Sequence, residues 1–195
     1  MPRKLTYYAA ATMDGYIADE TGSVGFFPVG GDHGPAIRAQ YPETLPTKVR
    51  EIFGIKGDSA TFDTVLMGRK TYDFGVRTGT SSPYTHLRQF VVSASLPESP
   101  DPHIELISAD PLDRVRELKR EAGLGIWLCG GGELARVLLP EIDQIFLKRY
   151  PVVLGGGRSL FGAGPAIDPV LFKVTTSRMF SSGVAFVKYS RNGVS

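Results

Sequence analysis

Ile126-Trp127-Leu128-Cys129-Gly130-Gly131-Gly132-Glu133-Leu134 is the stretch whose reading decides the fold. Its apolar first half reads as a buried strand, and Glu133-Leu134-Ala135-Arg136-Val137-Leu138-Leu139 reads as a helix. Glycines in the turn between them let backbone approach a ligand closely, and a helix start presents unpaired N–H groups to an anion. The segment therefore reads as a cradle for phosphate, such as the pyrophosphate of a dinucleotide.

The same alternation continues on both sides. Residues 4–12 read as a first strand ending at the turn signal Asp14-Gly15. Residues 19–43 carry many Gly, Pro, Asp and Thr around Phe26-Phe27 and read as one long loop, of the kind that forms lids or binding segments. Residues 44–53 have a helical pattern, with Leu45, Val49, Ile52 and Phe53 on one side. A strand over 64–67 leads into a short helix opening at Gly68-Arg69-Lys70-Thr71, and a strand over 89–92 ends at Ser93-Ala94-Ser95. Residues 104–108 read as strand and 111–122 as an amphipathic helix with Leu112, Val115, Leu118 and Ala122 apolar. After the glycine unit, 142–153 reads as a long strand, and 170–178 with 183–190 as a closing pair. Strand and helix alternation predicts a mainly parallel α/β sheet. The closing strands have no helix between them, so antiparallel pairing is expected there. No linker, repeat or low-complexity tract divides the chain, which predicts a single domain over 1–195.

Composition narrows the function classes. With 195 residues, 42% apolar and 22% charged, the chain has an ordinary globular make-up. A net charge of +2 without a Lys/Arg stripe argues against nucleic acid, and no apolar stretch is long enough to span a bilayer. Cys129 is the only cysteine, so an internal disulfide is excluded and a cytoplasmic setting is expected. His33, His86 and His103 lie far apart without ligand-spaced partners, so no metal site is expected.

Three strands thus end in turns suited to phosphate. Gly68-Arg69-Lys70-Thr71 offers two cations, a hydroxyl and helix-start N–H groups; Ser93 and Ser95 offer hydroxyls; Gly130-Gly131-Gly132 offers close backbone. In a parallel sheet these turns share the carboxyl edge, where ligands sit. Cations after a strand, rather than a carboxylate, favour a 2′-phosphate and hence NADP over NAD. Each turn also has a plain structural reading, as a solvated helix start, a capping turn, or tight helix–sheet packing.

The order of motifs resembles the dihydrofolate reductase superfamily, and most closely its riboflavin-biosynthesis reductase branch, the RibD C-terminal domain type. The matching stretches are Thr12-Met13-Asp14-Gly15-Tyr16-Ile17-Ala18, Leu66-Met67-Gly68-Arg69-Lys70-Thr71-Tyr72, Val91-Val92-Ser93, the glycine unit, and Pro151-Val152-Val153-Leu154-Gly155-Gly156-Gly157-Arg158-Ser159-Leu160-Phe161. The resemblance implies a dihydrofolate-reductase-like fold with helices on both faces of the sheet, an NADPH-dependent reductase and a homodimer. Carried over by position, Ala10, Ile17 and Ala18 would hold the nicotinamide carboxamide by their backbone. Gly68, Arg69, Lys70 and Thr71 would face the adenosine-side phosphates, and Ser93 and Ser95 the 2′-phosphate. Cys129, Gly130, Gly131, Gly132, Glu133 and Leu134 would surround the pyrophosphate.

One departure bears on the substrate. Folate reductases carry an acid just past a Leu-Pro; here Leu45-Pro46-Thr47 is followed by Lys48, with Glu51 further along. A cation cannot accept a hydrogen bond from a pterin amino group, so dihydrofolate is the less favoured substrate. Asp14, Lys48 and Glu51 remain candidates for a catalytic role; Lys48, Lys148 or Arg149 could bind a phosphate carried by the substrate, although Lys148 and Arg149 read first as strand-surface charge. Phe26, Phe27 and Tyr16 read either as a stacking wall for a planar substrate or as lid packing. The expected partner is a small heterocyclic or ribosylaminopyrimidine-like substrate. The alternatives are a nucleotide-binding sensor that has lost turnover, and a dihydrofolate reductase.

Overall fold

The computed structural model describes residues 2–77, 79–99, 101–165 and 167–193. In chain order its elements are β1 (Leu5–Ala11), β2 (Tyr16–Ala18), α1 (His33–Gln40), α2 (Thr47–Ile52), β3 (Phe62–Gly68), α3 (Arg69–Arg77) and β4 (Arg88–Val92). There follow β5 (Ile104–Ile107), α4 (Pro111–Arg120), β6 (Gly125–Gly130), α5 (Gly132–Val137), β7 (Gln144–Arg149), β8 (Arg158–Ser159), β9 (Phe172–Met179) and β10 (Ala185–Arg191). Eight strands build one sheet in the order β5-β4-β3-β6-β1-β7-β10-β9. The strands from β5 to β7 run parallel, and β10 is antiparallel to both of its neighbours. This is the expected α/β architecture with its antiparallel C-terminal edge.

The period of two along each strand explains the layers. Leu5, Tyr7 and Ala9 of β1 join Leu66, Ile126 and Leu128 on one face, covered by Val115 and Leu118 of α4 and by Leu134 and Ala135 of α5. The intervening Tyr8 and Ala10 join Val65, Met67 and Trp127 on the other face, covered by Ala36 and Ile37 of α1 and Tyr72 of α3. A strand buried on both faces must be apolar at nearly every position, which is how β1, β3 and β6 read. Each fully buried Leu or Val contributes about 1.5–3 kcal/mol.

The stretch between β1 and β3 departs from expectation. Residues 19–43 contain α1 rather than one loop, and they follow the short strand β2, which pairs antiparallel with β8. Gly, Pro and Asp concentrate in the approach to α1, and its own eight residues have a weak apolar stripe. The helix expected over 44–53 is confined to Thr47–Ile52, and it is turned over. Ile52 and Phe53 are 79% and 54% exposed, whereas Arg50 is buried with its guanidinium on the Gly57 carbonyl at 2.9 Å. Polar contacts orient α2: Thr47 N–H donates to Pro83 O at 2.8 Å, and its hydroxyl meets His86 Nδ1 at 2.8 Å. The long strand expected over 142–153 ends at Arg149, because Pro151 has no N–H for a ladder. The helix over 111–122 closes at Arg120, which leaves Ala122 exposed beyond it.

Glu43 ties this region to the sheet. Its side chain is fully buried, and Oε1 accepts from the N–H groups of Thr61 and Phe62 at 2.9 and 3.0 Å, at the start of β3. Glu43→Ala orphans both buried donors, so urea unfolding should show a loss of about 2–4 kcal/mol.

Candidate active site

Because β4, β3, β6, β1 and β7 are parallel neighbours, their carboxyl ends form one edge. Ser93, Gly68 with Arg69, Gly130 with Gly131, Thr12 and Tyr150 follow those ends in that spatial order. Two of the expected turns touch. A Cβ added at Gly68 would stand 3.4 Å from both Gly130 O and Gly131 N. A Cβ at Gly131 would stand 3.5 Å from Thr71 Oγ1, the one atom it would meet. Gly130 has φ +128°, a conformation that favours glycine, and its peptide to Gly131 is cis. Gly68, Thr71, Gly130 and Gly131 are thus gathered at one point, with open space before the last two.

Gly132 serves packing instead. A Cβ there would collide with the Ser159 carbonyl and stand 2.6 Å from Gly162 N. Glu133 points the same way: its carboxylate accepts from Ala163 N–H at 3.3 Å, and Leu134 is buried. At the outer turn, Arg69 pairs with Asp73 at 2.7 Å and Lys70 is exposed. Ser93 is buried, its oxygen accepting from Ser95 and Leu96 N–H at 3.3 and 3.2 Å, while Ser95 is exposed. An open groove of about 390 Å³ runs between Thr21, Gly22 and Ser23 on one side and Phe74 and Arg77 on the other. Its walls come from the segment after β2 and from α3. A second cleft of about 360 Å³ lies between α1 and the strands β7, β9 and β10, and includes none of the expected site residues.

At the other end of the edge, Ile17 and Ala18 lie on β2, and Ala10 faces Lys148 across the β1–β7 ladder. Asp14 fastens this end. Its carboxylate accepts from Leu154 and Gly155 N–H at 3.1 and 2.8 Å. The Thr12 hydroxyl, then these amides, hold its carboxyl below the usual range. The aromatics of the long loop are packed down: Phe27 lies 4.7 Å from the Tyr150 ring and 4.5 Å from Phe26.

Lys48 and Glu51 are exposed on α2. Their helix α2 packs on Pro83 and His86, before the start of β4, and Lys48 donates to Gly79 O at 3.4 Å.

Lys148 is the residue that sequence reasoning undervalued. It is half-buried on β7, with its Nζ 4.3 Å from the centre of the Tyr8 ring. Burial pulls its ammonium down to about 8, and no ion pair among the described residues includes it. Burial likewise pushes the neighbouring Cys129 thiol up to about 12. Tyr84, which hydrogen-bonds Cys129, is raised well above the ordinary phenol, also by burial. The signal was present in the strand period, which puts Lys148 on the side of apolar Phe146. Among the described residues, no group of His, Cys, Asp and Glu is arranged to hold a metal, and no helix is long and apolar enough to cross a membrane.

A mostly parallel sheet with this strand order and an antiparallel edge defines the dihydrofolate-reductase-like class. The chain belongs to the RibD C-terminal domain family, whose model matches residues 3–186. It is 32% identical to the uncharacterized protein YwjB of Bacillus subtilis (strain 168) over 166 residues, 83% of this chain and 84% of that one. It is 28% identical to the uncharacterized protein YyaP of the same organism, covering 98% of this chain and 96% of that one. A Shewanella sp. PV-4 protein provisionally assigned to riboflavin biosynthesis superposes with TM-score 0.69 at 23% identity, over 98% of this chain and 99% of that one. The Thermotoga maritima diaminohydroxyphosphoribosylaminopyrimidine deaminase/5-amino-6-(5-phosphoribosylamino)uracil reductase superposes with TM-score 0.63 at 20% identity. That match covers 97% of this chain but 57% of the Thermotoga chain. The relationship to riboflavin-biosynthesis reductases is therefore plain at the level of family and fold.

The two adjacent glycines predict opposite outcomes. Gly132→Ala drives a methyl group into backbone and should cost more than about 2 kcal/mol in urea unfolding. Gly131→Ala, with room before it, should stay within about 1 kcal/mol of wild type.

Proposed function

We propose that the chain is an NADPH-dependent reductase of a small heterocyclic or ribosylaminopyrimidine-like substrate. The observation that carries this reading is the approach of the β3 turn to the β6 turn, Gly68 against Gly130 and Gly131, with Thr71 the one neighbour that a side chain at either of the last two would meet. The residues fit a phosphorylated dinucleotide: close backbone without side chains, a hydroxyl at Thr71, and cations at Arg69 and Lys70. Gly130, Gly131 and Thr71 would hold the pyrophosphate, and Arg69, Lys70, Ser93 and Ser95 the adenosine-side phosphates. Gly132, Glu133 and Leu134 support that cradle from the protein side. Backbone at Ala10, Ile17 and Ala18 would orient the carboxamide end, with Cys129 beside it.

When bound, NADPH would supply the hydride. The chain itself contributes position, since bringing donor and acceptor carbon into contact accounts for most of what such a transfer needs. Asp14 acts here as a clamp on 154–155 rather than as an acid. Lys48 stands where folate reductases carry the acid past the Leu-Pro, and a cation cannot accept from a pterin amino group, which disfavours dihydrofolate. A homodimer and a cytoplasmic setting belong to the same proposal. Light scattering should give twice the 21.1 kDa chain mass.

The cofactor assignment is tested by charge reversal. Arg69→Glu with Lys70→Glu removes two charge-assisted contacts of about 1.5–3 kcal/mol each, so NADPH should bind at least about a hundredfold more weakly. NADH should change less than about threefold; equal weakening rejects the 2′-phosphate assignment. Turnover is tested by loss of NADPH absorbance with 5-amino-6-(5-phosphoribosylamino)uracil and with dihydrofolate. Binding without turnover on either favours the sensor reading.

A further inference from the structure

Beside the expected carboxamide end, the face of the sheet that packs under α1 does not close completely. Tyr8 at its floor is buried, yet Ala10, Cys129, Lys148, Tyr84 and Val152 around it stay partly exposed. Ala10, Cys129, Lys148 and Val152 come from the carboxyl ends of β1, β6 and β7 and the turn after β7, and Tyr84 reaches them through its hydrogen bond to Cys129, so the five border one recess. The polar character of this recess is unusual. The one full charge on its floor is the Lys148 ammonium, held over the Tyr8 ring at 4.3 Å.

The groups that face Lys148 are neutral or remote. From β6 comes Cys129, its thiol kept protonated by burial, and beyond it Tyr84, also protonated. From β1 comes Tyr8, whose hydroxyl is raised by burial in the same sense. From β10 comes Phe186, directly opposite Lys148 in the ladder. From β9 the nearest charge is cationic: Arg178, opposite Phe186, with its guanidinium 4.5 Å from the Phe180 ring centre. On the helical side Tyr150 is raised by burial, and Glu43 is committed to the start of β3. An ammonium half removed from water without an anion is costly, and a carboxylate or ionised oxygen arriving from solution would relieve that cost.

We propose that Lys148 is the specificity-determining contact of this recess, and that it selects a planar heterocycle bearing an anionic oxygen beside the nicotinamide. This rests on the reductase reading, which places the nicotinamide next to Ala10. The polarity is the inverse of a site that uses a carboxylate to hold an amidinium.

Two matched pyrimidines test it by binding alone. NADPH is titrated first, and failure to bind removes the reductase reading. Orotate, a pyrimidine carboxylate, and 2,4-diaminopyrimidine, a base, are then titrated calorimetrically with and without NADPH. Orotate should bind, and bind better than the diaminopyrimidine. Lys148→Met should weaken orotate at least tenfold while changing NADPH less than twofold, and Lys148→Arg should restore most of the affinity. For the sign with pH, the ammonium is present below about 8 and lost above it, so orotate affinity should fall roughly tenfold from pH 7 to pH 9. Lys148→Arg should abolish that fall, a result that a structural role for Lys148 would not produce. Lys148→Met should fold at least as well as wild type, because it removes a half-buried charge. Absent orotate binding, preference for the diaminopyrimidine, or unchanged orotate affinity in Lys148→Met each overturns the proposal, whether or not NADPH binds.

Discussion

The close approach of backbone to backbone at the ends of β3 and β6 is the constraint on which the rest of the site depends. Those strands are neighbours, and each leaves the sheet into a helix through glycine. A Cβ at Gly68 would already be in contact with the Gly130–Gly131 peptide at 3.4 Å, which leaves no room there for a larger side chain pointing the same way. A second close approach, Gly132 against the Ser159–Gly162 turn, pulls the loop after β8 onto the same helix. Since β8 pairs with β2, the segment after β1 is held to the glycine turn through three elements in series.

The strands buried on both faces were legible because their burden is simple. A parallel strand in the middle of a sheet is apolar throughout, and the turn after it needs glycine or a capping hydroxyl. That made β3, β4, β6 and α4 readable nearly to their ends. The region between β1 and β3 obeys another logic. Helix α1 has few apolar residues and a flanking run of Gly and Asp, so its pattern is that of a loop; its place is fixed by contacts from distant sequence, such as His33 Nδ1 with the Ser182 hydroxyl at 3.0 Å.

The remaining difference concerns charge inside the protein. Glu43 and Lys148 both occupy positions where a charged residue in isolation reads as surface. Glu43 is held inside by two N–H groups that become its neighbours only when β3 starts beside it. Lys148 sits on the apolar side of β7, which the alternation Ile145, Phe146, Leu147 blurs because both sides of that strand are apolar. Period alone distinguishes buried from exposed only when one face is wet.

Cys129 has a practical consequence. It is half-exposed and the single thiol of the chain, yet burial holds it in the protonated form up to about pH 12. Thiolate is the reactive species toward maleimides, disulfides and peroxide, so Cys129 should react slowly with such reagents near neutrality. A cysteine introduced at an exposed position, on the wet strand β9 for example, would then be the faster point of attachment for a fluorophore or spin label.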